Sequence, residues 1–165
     1  MTRQVLRAQV FQERPSVTAW GGLLRAHSSL IRALNAELVQ AHGLTINDYE
    51  VLLHLARAPD HRLRRVDLAD HLLLTASGIT RLLDGLERAG YVEKARCESD
   101  ARVTYAVLTE SGLAKLREAA DTHVGGVREV FESRFSEPEL ATLADLLSRL
   151  PGAAGADDDS CRPPD

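Results

Sequence analysis

The hydrophobic period changes at Gly90, and that change constrains the fold more than any other feature of the chain. Up to this glycine, apolar residues recur at helical spacing. The run "TASGITRLLDGLERAGYV" (75–92) carries Ile79, Leu82, Leu83 and Leu86 at i, i+3, i+4 and i+7, the stripe of a helix packed on one side against a core. Beyond Gly90, "YVEKA" and "VTYAVLT" alternate apolar and polar residues at period two on either side of "RCESDAR", which predicts one hairpin. Helical spacing then returns from Glu110. The expected fold class is therefore mainly α with a small β-hairpin.

The segments around this switch complete the pattern. Residues 1–15, ending at Pro15, read as an N-terminal arm. A long helix starts at Ser16, capped by Ser16 or Thr18, with Trp20, Leu23, Leu24, His27, Leu30, Ile31, Leu34 and Leu38 on one stripe, and Gly43 ends it. A second helix over 47–58 carries Tyr49, Val51, Leu52 and Leu55 and is stopped by "APDH". An extended "RLRRV" leads to a compact helix with Leu68, Ala69 and Leu72 inward. "LLT" then turns the chain into the 75–92 run, with Thr75 or Ser77 as N-cap. Two helices joined by so short a turn are a helix-turn-helix, and with the hairpin as wing, residues 43–109 read as a winged helix-turn-helix. After it, a long helix over 110–134 bears Leu113, Leu116, Ala120, Val124, Val127 and Phe131. A last helix, with Pro138 in its first turn, bears Leu140, Leu143, Leu147 and Leu150. A lone winged helix does not need these flanking stripes, so 16–42 and 110–150 are expected to form a helical dimerisation region. Residues 151–165 have the composition of a disordered acidic tail.

Charge at first argues against nucleic acid, since the formal net charge is -4. Its distribution reverses that reading. The tail places four aspartates against Arg162, and the arginines gather in "HRLRR" (61–65) and "EKARCESDAR" (93–102). No apolar run approaches the roughly 18 to 20 residues that span a bilayer, and the first 15 residues lack a signal-peptide core, so a cytoplasmic location without membrane contact is expected. Enzyme signatures are missing: there is no GxSxG, no GxxxxGK[ST] and no GxGxxG after a strand. Six histidines without HExxH, and two cysteines without CxxC, predict neither a metal site nor a cofactor.

Opposite the apolar stripe of 75–92 stand Ser77, Thr80, Arg81, Asp84 and Arg88. In a helix-turn-helix the second helix enters the major groove, so this face must reach base edges and phosphates. Thr75 and the small residues Ala76, Ser77 and Gly78 let the helix N-terminus approach the phosphate backbone. Arg81 can reach a guanine edge, and Thr80 a thymine methyl or a phosphate. Taken alone, the same face also suits a solvated surface helix.

The run "LADHLLLTASGITRLLDGLERAGYVEKARCESDARVTYAVLTESG" (68–112) resembles the core of the MarR (multiple antibiotic resistance regulator) family of bacterial transcription factors. The features that carry the resemblance are the Ser/Thr-bearing helix, "LDGLERAGYV", the Asp-x-Arg of the wing and "LTESG". The resemblance implies a homodimer whose terminal helices interlock, each winged helix reading half of a palindromic operator in double-stranded DNA. It also implies a repressor that a small ligand releases. Arg102 at the wing tip is then expected in the minor groove, oriented by Asp100, with Arg65, Lys94 and Arg96 on phosphates. Ala101 stands where many family wings carry another arginine. The family often places its ligand beside the dimer helices. Trp20 with His27, and Tyr49 with His54, supply rings suited to a phenolic ligand, or alternatively packing stripes. A redox-responsive regulator using Cys97, beside Arg96, and a dimeric interaction module without DNA are the other readings. The arginine cluster around one helix and one hairpin favours DNA.

Overall fold

A computed structural model describes residues 14–96 and 103–151. Cys97, Asp100, Arg102 and the 152–165 tail lie outside the described residues. The chain divides into two compact units, one ending at Ala33 and the other starting at Leu34.

Helix α1 (Pro15–His42) begins one residue earlier than the sequence suggests. Neither Ser16 nor Thr18 is its cap. Pro15 takes the first helical position, where its fixed φ fits and its missing N–H costs nothing, and the Arg14 carbonyl accepts from the amides of Val17 and Thr18. Within the first unit α1 leaves Val17, Trp20 and Leu24 exposed.

In the second unit α1 runs on through buried Leu34 and Leu38 to Gly43, whose φ of +67° ends the helix at no steric cost. Helix α2 (Ile46–Arg57) opens with a reciprocal capping box: Thr45 Oγ1 accepts from the Asp48 amide, and the Asp48 carboxylate accepts from the Thr45 amide. Its face Tyr49, Val51, Leu52 and Leu55 is the middle of the core. A short 3-10 turn, Pro59–His61, leads to β1 (Arg62–Arg64) and then α3 (Arg65–His71). Val66, expected in the extended piece, is thus helical. Leu68 and Ala69 of α3 are buried, whereas Leu72 is only half-buried.

Helix α4 (Ala76–Arg88) follows, capped by Thr75 alone, whose Oγ1 accepts from the Gly78 amide at 3.1 Å. Ile79, Leu83 and Leu86 are its buried stripe. Gly90, at φ +77°, turns the chain into β2 (Val92–Arg96), which pairs antiparallel with β3 (Thr104–Leu108). The hairpin is part of a larger sheet than the sequence suggests. Strand β1 pairs with the other edge of β3, in the order β1-β3-β2, so the piece after the proline turn is a sheet member.

Helix α5 (Glu110–Glu132) is joined to this region by one residue. Thr109 Oγ1 donates to the Gly90 carbonyl at 2.8 Å and accepts from the Gly112 amide at 2.9 Å, and the Thr109 amide donates to the Tyr91 carbonyl at 3.1 Å. Gly112 sits so close to this corner that a Cβ there would lie 2.1 Å from the Tyr91 carbonyl oxygen. The buried face of α5 is Gly112, Leu116, Ala119, Ala120, His123 and Gly126, turned by about one residue from the expected stripe. Leu113, Val124, Val127 and Phe131 are half-exposed. Helix α6 (Glu137–Ser148), capped by Ser136 and Glu139, has no buried residue.

Candidate nucleic-acid interface

The outward surface of α4 is organised by its own hydrogen bonds. Thr75 Oγ1 caps the amide of Gly78, one of the first-turn donors without a partner inside the helix, and lies 3.2 Å from Ser77 Oγ. Ser77 and Arg81 are exposed one turn apart, and Arg81 Nε donates to the Ser77 carbonyl at 3.3 Å, which folds the guanidinium along the helix. Thr80 Oγ1 donates to the Ala76 carbonyl at 2.7 Å and receives Arg65 Nη1 at 3.3 Å. Arg65, the first residue of α3, is thereby brought to the outward surface of α4 although it is fifteen residues away from Thr80 in sequence. Its exposed guanidinium retains donors for a phosphate.

The sheet brings a second set of cations. Arg62 lies over the Tyr105 ring, 5.5 Å from its centroid. Arg64 is paired with Asp67 through two bonds of 2.7 Å each, which raise the guanidinium pKa and hold the Asp67 carboxyl below its usual value. Arg96, at the end of β2 opposite Thr104, is exposed. Lys94 differs from it. Its Nζ lies 2.5 Å from Asp84 Oδ1 and 2.7 Å from Glu87 Oε2, so one ammonium ties the wing strand to the C-terminal half of α4. Its hydrogen bonds to the Asp84 and Glu87 carboxylates push its pKa up. Sequence reading named Asp84 only as part of the outer face and missed Glu87. The signal was present: residues at i and i+3 share a helix side, and Lys94 lies on the strand that follows the helix after one tight turn.

The four ring residues are placed differently from one another. Trp20 is 60% exposed, and His27 is also exposed. Tyr49 is buried, its ring centroid 4.6 Å from that of His123. His54 is half-buried, with its ring 4.9 Å from that of His71, and burial, then the His71 and Arg57 charges, lower its pKa. His71 Nδ1 bonds the Asp67 carbonyl at 2.6 Å. Among the described residues no three His, Cys, Asp or Glu side chains form a group able to hold a metal ion. No helix there is long and apolar enough to cross a membrane.

Comparison with known proteins gives one answer. Residues 42–103 match the MarR family. Over 66% of this chain and 66% of its own length, the transcriptional repressor YetL of Bacillus subtilis is 34% identical. The MarR family regulator Sco3205 of Streptomyces coelicolor, solved in complex with DNA, is 30% identical and superposes with a TM-score of 0.72 over 79% of this chain and 81% of its own. CouR of Rhodococcus jostii, solved with p-coumaroyl-CoA, is 26% identical with a TM-score of 0.68, over 83% of this chain and 94% of its own.

Proposed function

The chain belongs to the MarR family of DNA-binding transcriptional regulators, and from that premise we propose that it is a homodimeric repressor released from a palindromic operator by a small aromatic ligand. In this reading Ser77, Thr80 and Arg81 meet base edges in the major groove, with Thr75 setting the helix N-terminus against the backbone. Arg65 and Arg96 hold phosphates, and Arg102, oriented by Asp100, enters the minor groove. The observation that carries it is the exposed pair Ser77 and Arg81 on a capped helix beside Arg65 and Arg96. Repression is supported by the likeness to YetL, and an aromatic acyl ligand by the likeness to CouR. Trp20 and His27, exposed on α1, supply a ring and a polar group for such a ligand, and half-buried His54 is a further candidate, whereas Tyr49 is taken up by the core. The site of action is the cytoplasm, where the DNA is.

The test is a mobility-shift titration against the DNA upstream of the protein's own gene, run over a salt series. Arg81→Ala is expected to cost about 1 to 3 kcal/mol and to relax sequence preference, and Arg102→Ala to cost about as much. Hydroxycinnamate derivatives, added to the preformed complex, should release the DNA. Wild-type affinity in both variants at matched salt would overturn the assignment of helix and wing to the two grooves.

A further inference from the structure

Lys94 stands where a DNA-binding wing would use a cation, yet its ammonium is already engaged. Asp84 and Glu87 continue the row begun by Thr80 on α4, at i, i+4 and i+7, and their side chains are 46% and 43% exposed. Two bare carboxylates on that row would face the phosphate backbone and repel it. Lys94 occupies both at bonding distance. We propose that Lys94 is a positioning residue: it fixes the wing strand against the recognition helix and neutralises the acidic end of the DNA-facing row, and it does not itself hold a phosphate. This rests on the DNA-binding reading above.

Three features make this reading specific. The two bonds come from one side chain to residues three apart on a single helix, so they fix direction as well as distance, which a single exposed ion pair does not do. Strand β2 is locked in register with β3, Lys94 opposite Ala106, so anchoring Lys94 anchors the hairpin stem. Arg96, two residues further on, projects from the same side of β2, and its approach to DNA follows from where Lys94 is held. A phosphate contact would require the ammonium to give up two carboxylates for one phosphate.

The two roles predict opposite signs for the carboxylates. Affinity for an operator duplex, selected by the wild-type protein from a random library, is measured by fluorescence anisotropy between about 50 and 200 mM salt. Variants are Lys94→Ala, Lys94→Arg, the pair Asp84→Asn with Glu87→Gln, and the triple combination with Lys94→Ala; thermal melts check that each is folded. If Lys94 positions the wing, Lys94→Ala and the carboxylate pair each weaken binding about fivefold, although the pair removes negative charge. The triple variant is then no weaker than either, Lys94→Arg binds as wild type, and the salt slope of Lys94→Ala is unchanged. The proposal is overturned if the carboxylate pair tightens binding while Lys94→Ala lowers the salt slope by about 1, the mark of a lost phosphate contact. It is also overturned if Lys94→Ala binds as wild type. If the wild-type protein selects no duplex, the DNA-binding reading fails first and the proposal with it.

Discussion

Single residues carry the exact fit of the winged helix, and Gly112 is the sharpest case. Its Cα packs under the Tyr91 carbonyl so closely that a Cβ would meet that oxygen at 2.1 Å and Leu108 Cδ1 at 2.8 Å. Alanine would gain about 1 kcal/mol of helix propensity but must push backbone apart. Gly112→Ala is therefore expected to destabilise by about 2 kcal/mol or more in urea titration, and an unchanged midpoint would mean that the corner yields. The "LTESG" run announces a helix start, yet nothing in one sequence says that its glycine answers to a carbonyl twenty-one residues earlier. Thr75 was readable because a cap acts on its own turn. The Thr45 capping box is equally local, in "TIND", with Asp48 three residues after Thr45.

At the scale of elements, type, order and the buried faces of α2 and α4 were legible, whereas the facing of α5 and the sheet partner of β1 were not. Period alone separates helix from strand, so all six helices and the hairpin follow from the sequence, whereas the pairing of β1 with β3 depends on contacts across more than forty residues. Helix α5 shows the same limit. Two apolar stripes share it, and the sequence cannot say which one the chain's own core takes. The core takes the stripe containing His123, which is buried against Tyr49 and whose Nδ1 is, among the described residues, the one buried side-chain polar atom without a hydrogen-bond partner. Burial lowers the pKa of His123 and also that of His54. Both imidazoles thus take up a proton less readily when folded than when unfolded, where an imidazole titrates near pH 6.5. The sign follows: stability is full above about pH 6.5 and falls as pH drops below it, because the unfolded chain binds more protons. Thermal melts at pH 7.5 and 5.0 should show the loss, and His123→Leu should reduce it. Equal melting temperatures at the two pH values would rule out buried neutral histidines.

For the molecule as a whole, the question is what covers the surfaces that the chain leaves bare. Every residue of α6 is at least partly exposed, with Leu146 at 51%, Leu150 just beyond its end is 44% exposed, and α1 shows Trp20 at 60%. Exposed apolar helix faces of this kind are characteristic of surfaces that meet a partner. A second copy of the chain fits the proposed dimer, so Leu146→Lys combined with Leu150→Lys should convert a dimer to a monomer in sedimentation velocity and lower operator affinity at least tenfold. A monomeric wild type would remove the basis for a palindromic operator.

Thr109 gives the second unit a mechanical character. Three hydrogen bonds of Thr109 tie the start of α5 to Gly90 and Tyr91, the turn between α4 and β2, with Gly112 wedged beneath it. A joint so tightly filled transmits torque and absorbs little. A tilt of the long helix would therefore carry the recognition helix and the wing stem with it, as a key turns with its bow.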